Sequence, residues 1–153
     1  MLLYAPKNSG GARINTKLAT VAGTSFTAMA EYHPKSGLKF IILEGRGSVS
    51  LKYQHGETRT LHAGQMIIVR ADATKLPEPQ DVDLSKLIKT STLIAKFPPL
   101  PNLNLILREA ENQQNLPSSS HLIDPTGLNI RDQRAAALPS ATPRTVPGRP
   151  SRP

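Results

Sequence analysis

The chain has 153 residues, a formal net charge of +8 and no cysteine. This length suits one modest domain with extensions, and the lack of cysteine excludes disulfides, thiol catalysis and Cys-based zinc sites. No run approaches the roughly 18–20 apolar residues that a membrane helix needs, and the first residues lack the charged and apolar regions of a secretory signal.

The positive charge is spread along the chain, and no four consecutive residues are basic. Residues 1–115 carry 14 Lys and Arg against 9 Asp and Glu, and residues 116–153 carry five Arg against two Asp. A nucleic-acid-binding protein usually concentrates its cations on one face. The distribution favours solvated surface charge, so no nucleic-acid partner is expected. A basic nucleic-acid-associated protein that acts through the Arg residues of the tail is kept as an alternative function.

The first half of the chain is rich in short segments with strand character. Residues 13–22 predict one or two strands that end at a break at Gly23-Thr24. Residues 25–33 alternate as a strand does. The apolar face of this predicted strand is expected to consist of Phe26, Ala28, Ala30 and Tyr32.

A hairpin is predicted next. Residues 34–37, Pro-Lys-Ser-Gly, have turn chemistry, because Pro fixes φ and Gly accepts a positive φ. Residues 38–44 are an apolar, partly β-branched run, short enough for a strand that is buried on both faces. This strand is expected to pair with residues 25–33.

The residues that follow contain several glycines at predicted strand ends and turns. Gly45 and Gly47 are expected to end the buried strand, and Gly23, Gly45 and Gly64 are expected at tight reversals that need a positive φ or a close backbone approach. Thr24 and Gln65 are expected to fix their corners by bonding from the side chain to the backbone. Further strands are predicted over residues 48–53, 58–61 and 65–70, with turns over residues 54–57 and 63–64.

This pattern predicts the fold class. Short strands with a Gly-bearing turn every eight to twelve residues are typical of a small β-sandwich, a jelly roll or a short β-helix. No helix-length segment separates the strands, which argues against an α/β sheet. We therefore predict a mainly-β module over residues 1–72.

Residues 73–115 predict a helical extension interrupted by prolines. Leu76-Pro77-Glu78-Pro79 cannot continue a sheet interior, because each Pro removes a hydrogen-bond donor. Asp83 is a suitable N-cap for a short helix over residues 84–91. Asn102 can cap a second helix that continues to about residue 114. Its apolar stripe, expected to dock by the first half of the helix only, is Leu103, Ile106 and Leu107.

Residues 116–153 are dominated by Pro, Ser, Thr, Ala and Arg and contain half of the 14 prolines. Such a composition buries too little apolar surface to offset the entropy of ordering. We predict a disordered tail.

Three segments of the β module resemble the FecR domain. Thr20-Val21-Ala22-Gly23-Thr24-Ser25-Phe26 is similar to its "Val-x-Gly-Thr-x-Phe" entry strand. Ile42-Leu43-Glu44-Gly45 followed by Ser48-Val49 is similar to its "Val-Leu-Glu-Gly-x-Val" strand and turn. Gly56, Leu61 and Ala63-Gly64-Gln65 resemble its closing strand. The segments occur in the family's order between residues 12 and 70, and residues 76–97 resemble the extension of some FecR-type proteins.

The resemblance implies an extracytoplasmic, non-enzymatic module that couples a surface or periplasmic signal to another protein, often in iron-linked regulation. Phe26 and Leu43 are then core residues. FecR-type regulators also carry a membrane helix and a C-terminal signalling region, and neither is recognised in this sequence. The expected function is binding or scaffolding, with an unidentified protein partner, no cofactor and an unknown oligomeric state.

A metal-binding cupin is the main enzymatic alternative. Residues 56–64 have the spacing of a cupin corner with His62 inside it, and Glu31 and His33 share one strand face, as two ligands should. A further ligand of the cupin pattern would fall at Ile67, which cannot bind a metal, and His55 lies in a predicted turn. A working site needs about three protein ligands.

Other catalytic signatures are absent from the sequence. It contains no Gly-x-Ser-x-Gly elbow and no nucleotide-binding Gly-rich loop between a strand and a helix. We therefore assign no catalytic, cofactor-binding or metal-binding residue.

Overall fold

The computed structural model describes residues 1–52, 57–95, 100–116 and 121–126. The strands are β1 (Leu2–Ala5), β2 (Ala12–Asn15), β3 (Ala19–His33), β4 (Gly37–Leu51), β5 (Thr58–His62), β6 (Gln65–Arg70) and β7 (Gln80–Asp81). The helices are α1 (Leu84–Thr90), α2 (Thr92–Ala95) and α3 (Leu103–Gln114). The predicted mainly-β fold with short helices behind it is confirmed.

All seven strands belong to one antiparallel sheet built around the long hairpin of β3 and β4. One side of β3 pairs with β1 and β2, and the far side of β4 pairs with β5 and β6. The short strand β7 extends the sheet beyond β6. The hairpin predicted from residues 25–33 and 38–44 is therefore confirmed, and it is longer than expected.

Two bulges bend this hairpin. Gly23 and Thr24 together oppose Gly47, and Leu43 is an extra residue in β4. The predicted strand ends at Gly23 and at Gly45 were wrong, because both strands continue through these positions. An extra residue bends a strand without ending it and moves every later side chain to the opposite face.

The bulges also explain the pattern of burial along the hairpin. Odd-numbered residues such as Val21 and Val49 face the core in one half, and even-numbered residues such as Phe26 and Phe40 face it in the other. Because each bulge changes the parity, both halves of the sheet pack around one apolar cluster. The largest fully buried side chains of this cluster are Phe26, Phe40, Leu38, Ile42, Leu61, Ile67, Val21 and Val49.

A second apolar cluster lies on the opposite face of the sheet, beneath the helices. Ile41 and Leu43 contribute to it from β4, while Leu38, Phe40 and Ile42 face the first cluster. Residues 38–43 are thus buried on both faces, as predicted. From the helices, the second cluster contains Leu84, Leu87, Ile106 and Ala110.

The first helix begins where the sequence predicts. The Asp83 side chain accepts a hydrogen bond from the Lys86 backbone N–H at 2.9 Å, which satisfies one of the unpaired donors of the first turn. The helix α2 that follows was not predicted, since its four residues are too few for a periodic pattern.

The third helix docks along its whole length, which corrects the expectation that only its first half would dock. Leu107, predicted in the apolar stripe, is 44% exposed, whereas Ala110 is buried. In the last turn, the Gln113 amide nitrogen donates to the Val82 carbonyl at 3.0 Å, and its oxygen accepts from Leu84 N–H at 3.2 Å. A polar side chain therefore anchors the end that lacks large apolar residues.

The turn between β5 and β6 is the tight reversal predicted at residues 63–64. Gly64 has a φ of +79°, and the Gln65 side chain accepts from the His62 N–H at 3.0 Å, as expected for a corner residue. Gly56 and residues 117–120 and 127–153 of the predicted tail lie outside the described residues.

Candidate functional site

The side of β3 that faces away from β4 ends in an unpaired edge. β1 pairs with Phe26, Thr27, Ala28 and Met29, and β2 pairs with residues 20–23, so the two short strands follow one another along β3. Within the described residues, neither strand has a further partner in the sheet. We call β1 and β2 together the composite edge.

Hydrogen bonds show which backbone groups of β1 point outward. Met1 and Ala30 exchange two bonds, of 2.7 Å and 2.8 Å, and therefore form a hydrogen-bonded pair. Such pairs alternate with non-bonded pairs along an antiparallel ladder. Leu3 and Ala5 consequently bond to β3, while the N–H and C=O groups of Leu2 and Tyr4 face away from the sheet.

The same argument applies to β2. The Thr16 N–H donates to the Ala19 carbonyl at 3.0 Å and closes the turn between β2 and β3. Alternation from this pair places the outward backbone groups at Arg13 and Asn15. In the composite edge, four residues, two in each half, thus have backbone N–H and C=O groups that point away from the sheet.

The two halves differ in their side chains. The sequence of β1 is Leu-Leu-Tyr-Ala, with Tyr4 37% exposed, and the sequence of β2 is Ala-Arg-Ile-Asn, with Arg13 exposed. A loop with three positive φ angles, at Asn8, Gly10 and Gly11, joins them. Gly11 has no room for a side chain, because a Cβ there would collide with the Gly23 carbonyl oxygen.

A cavity of about 390 Å³ lies beside the start of β1. Its walls come from Met1, from β3 and β4, from the junction of α1 and α2, and from Pro125 and Thr126. Apolar side chains such as Met29 and Leu93 line it together with Glu31 and Lys39. The cavity under the helices is therefore lined by both apolar and charged side chains.

Lys39 is the most deeply buried charged residue in this region, with only 8% of its surface exposed. Its ammonium donates to the Pro125 carbonyl at 2.5 Å. Burial lowers the pKa of Lys39, and the negative charges of Glu31 and Asp124 partly offset this effect. The aliphatic stem packs in the sheet while the head group bonds to the overlying segment.

Residues 121–126, called the strap below, hold this arrangement together. Ile123 bridges Val82 in parallel, donating to the Asp81 carbonyl and accepting from the Asp83 N–H. Asp124 lies 2.6 Å from the Lys86 ammonium. Hydrogen bonds from Lys86 and from Thr126 lower the pKa of Asp124 to about 2.

The residues of the cupin alternative are not brought together. Glu31 pairs with Lys39 and His33 with Gly37, at the start of β4, whereas His62 pairs with Arg46, nine residues farther along that strand. His33 Nδ1 lies 3.2 Å from the Ser36 hydroxyl, within its own turn. Among the described residues no three His, Asp or Glu side chains are grouped as metal ligands would be. His55 lies outside them.

The three segments that resemble FecR meet on the central strands. The first lies in β3 and the second in β4, where Phe26 pairs directly with Gly45, and the third spans the β5–β6 turn. Phe26 and Leu43 are fully buried, as expected of core residues.

A buried polar contact next to these segments was not foreseen. The Asn102 amide donates to the Thr27 hydroxyl at 2.6 Å and to a Glu44 carboxylate oxygen at 3.0 Å. It fixes the start of α3 to the bend in the hairpin.

Sequence reasoning also missed β1, which forms half of the composite edge. Its available signal was the apolar run Leu-Leu-Tyr ahead of Pro6. Four residues at a chain end give too short a pattern to indicate a strand by alternation alone.

No family model, no curated protein and no solved structure matches the chain. Among the described residues, no helix is long and apolar enough to cross a membrane.

Proposed function

We propose that this chain is a non-enzymatic, FecR-like extracytoplasmic module that binds an extended segment of a partner protein at β1. The family part of this proposal is supported by three motif-like segments in FecR order. The binding mode is supported by the open edge of β1. In the FecR context, the module would serve signalling or iron-related regulation.

The observation that carries the binding mode is the outward direction of the Leu2 and Tyr4 backbone groups. An added strand would form up to four main-chain hydrogen bonds with them. Each bond contributes about 0.5–1.5 kcal/mol net, so the main chain alone gives weak affinity. Side chains of the partner must supply the rest, and the half-exposed Tyr4 ring offers the apolar contact.

Site-specific photocrosslinking in the source cell tests this proposal. With p-benzoylphenylalanine at Tyr4, we expect a covalent adduct with one partner protein, recovered from the extracytoplasmic fraction and identified by mass spectrometry. The same crosslinker at Leu107, exposed on α3, serves as the control site.

Backbone substitution adds the discriminating step. Leu2→Pro removes one outward N–H while leaving the β1–β3 bonds intact, so the yield of the adduct should fall several-fold. Leu2→Ala keeps the N–H and should retain the adduct. Equal crosslinking from Leu107 and Tyr4, an adduct unaffected by Leu2→Pro, or a cytoplasmic adduct would contradict the proposal.

A further inference from the structure

The composite edge carries a charge pattern that identifies the chemistry of its partner. Residues 1–30 contain Lys7, Arg13 and Lys17 and no Asp or Glu. All three cations are exposed, and none forms an ion pair within the described part of the chain. The only charged side chains in the two strands of the composite edge and in the loops that follow them are therefore positive, and the nearest carboxylate in the sequence is that of Glu31, near the end of β3.

The fold places these cations along the path of an added strand. Lys7 directly follows β1 and Pro6, Arg13 is at an outward position of β2, and Lys17 lies in the turn that β2 enters. A strand added to an edge lies about 4.8 Å away, and the Debye length at physiological salt is about 8 Å. Carboxylates on the incoming segment could therefore approach these exposed cations to within a Debye length, and added salt would weaken the attraction.

We infer that the partner segment is acidic: a short apolar, extended stretch flanked by Asp or Glu. This inference rests on the proposed function, since it specifies what binds at the edge. Apolar side chains of the segment pack beside Leu3 and Tyr4, while its carboxylates lie opposite Lys7 and Arg13. Charge complementarity of this kind speeds association and selects among partners.

Two other occupants fit the edge less well. The backbone of a nucleic acid offers phosphate acceptors, which can satisfy the outward N–H groups of Leu2 and Tyr4 but not their carbonyls. A second copy of the chain would bring a second basic edge and no carboxylate from residues 1–30 to neutralise it, in a molecule that already carries a net charge of +8. A peptide satisfies both the donors and the acceptors and can bring the opposite charge.

The experiment uses the full chain, labelled with ¹⁵N, and three synthetic peptides as probes. Each peptide has the core Thr-Val-Thr-Val, flanked on both sides by two Glu, two Gln or two Lys. We expect the Glu peptide to bind about tenfold more tightly than the Gln peptide at low salt, with the ratio falling toward one at about 0.5 M salt. The Leu2 and Tyr4 amides should shift and become protected from hydrogen exchange.

Matched charge variants locate the effect. Replacing Lys7, Arg13 and Lys17 with Gln should abolish the preference for the Glu peptide without changing the binding of the Gln peptide. The control replaces three other exposed lysines with Gln, which removes the same charge elsewhere and should keep the preference. The control positions are Lys35, Lys52 and Lys75.

The outcomes separate this inference from the proposed function. If the Glu and Gln peptides protect Leu2 and Tyr4 equally, the acidic preference is refuted and edge binding stands. If no peptide protects these amides, both proposals fail. Tighter binding of a single-stranded oligonucleotide at the same amides, or their protection by self-association at high protein concentration, would assign the edge to a different occupant.

Discussion

Asn102 occupies the N-cap of α3, yet its side chain makes no capping bond. It turns instead into the sheet, toward Thr27 and Glu44, and is only 5% exposed. The sequence identifies Asn as a good cap because of its intrinsic geometry. Tertiary packing overrides that preference here, since two buried oxygens need a donor.

Replacing Asn102 with Ala should therefore destabilise the protein more than loss of a cap would. We expect the free energy of unfolding to fall by about 1–3 kcal/mol, because the buried Thr27 hydroxyl and the partly buried Glu44 carboxylate lose a donor. Urea denaturation followed by circular dichroism measures the change. Asn104→Ala, an exposed position in the same helix, is the control and should change stability by less than about 0.5 kcal/mol.

Asp124 has the clearest pH signature. Its pKa is lowered from 3.8 to about 2, so its contribution to stability is fully present above pH 3.8 and is lost as the pH falls through about 2. Asp124→Asn should remove that contribution at every pH and loosen the strap. We expect faster hydrogen exchange at the Ile123 amide at pH 7 in the variant.

The exposed pair of Asp72 with Arg70 offers a matched control, since Asp72→Asn removes a similar ion pair in which no residue of the strap takes part. An unchanged Ile123 exchange rate in Asp124→Asn would show that the backbone bridge to Val82 alone holds the strap.

At the level of elements, the two bulges show where sequence reading succeeds and where it stops. Alternation correctly placed Phe26, Ala28 and Ala30 on the core face, whereas Tyr32, predicted on the same face at the end of β3, is 36% exposed. The continuous apolar run predicted over residues 38–44 is buried on both faces up to Leu43. Alternation could not follow the apolar face past the extra residue Leu43, or past Gly23, because glycine is typical both of a turn and of a bulge. Only pairing with the opposite strand decides between them.

The candidate site was less predictable than the fold. An edge strand is defined by the absence of a neighbouring strand on one side. The sequence pattern of a strand does not show which other strands lie beside it in the sheet. The basic character of residues 1–30 is visible in the sequence, but its significance depends on β1 and β2 lying on the same side of β3. The anchoring role of Gln113 was hidden for the same reason, since its partners are 29–49 residues away in the chain.

Gly45, two residues after the bulge in β4, gives a direct test of backbone strain. Gly45 has a φ of +81°, and a Cβ there would collide with the Ser25 carbonyl oxygen. Gly10 has a similar φ of +78° with nothing within 4 Å. Gly10→Ala should cost about 1–2 kcal/mol for the left-handed conformation alone. Gly45→Ala should cost at least about 1 kcal/mol more, because the hairpin must shift.

Thermal and urea unfolding of the two variants give the comparison. Equal losses would mean that the bend at Gly45 relaxes freely and that the close approach to Ser25 has no energetic role.

At the scale of the whole molecule, the β3–β4 hairpin is the centre of the sheet, with which β1, β2, β5 and β6 pair directly and on which α3 packs. Amides of residues 38–43, covered on both faces, should exchange only through global unfolding. The Leu2 and Tyr4 amides should exchange close to the rate of an unstructured chain in the isolated protein, despite lying in a strand. Residue-resolved hydrogen exchange measures both.

The Leu3 and Ala5 amides provide the internal control, because the ladder pattern bonds them to β3. They should be slower than Leu2 and Tyr4 by at least about tenfold. Protection of Leu2 and Tyr4 without any added peptide would mean that another part of the chain already covers the edge.

The bend of β3 between Ala22 and Ser25 limits the length and the stiffness of a peptide segment that can bind along the composite edge. Each half of the composite edge has four residues, which span about 13 Å, and the bulge turns one half away from the other. A long, flat strand can pair with one half only. A short segment, or one with a flexible residue at the bend, can form hydrogen bonds with all of its inward-facing backbone groups. The same geometry limits fibre growth, because stacked copies would lose register at every bend.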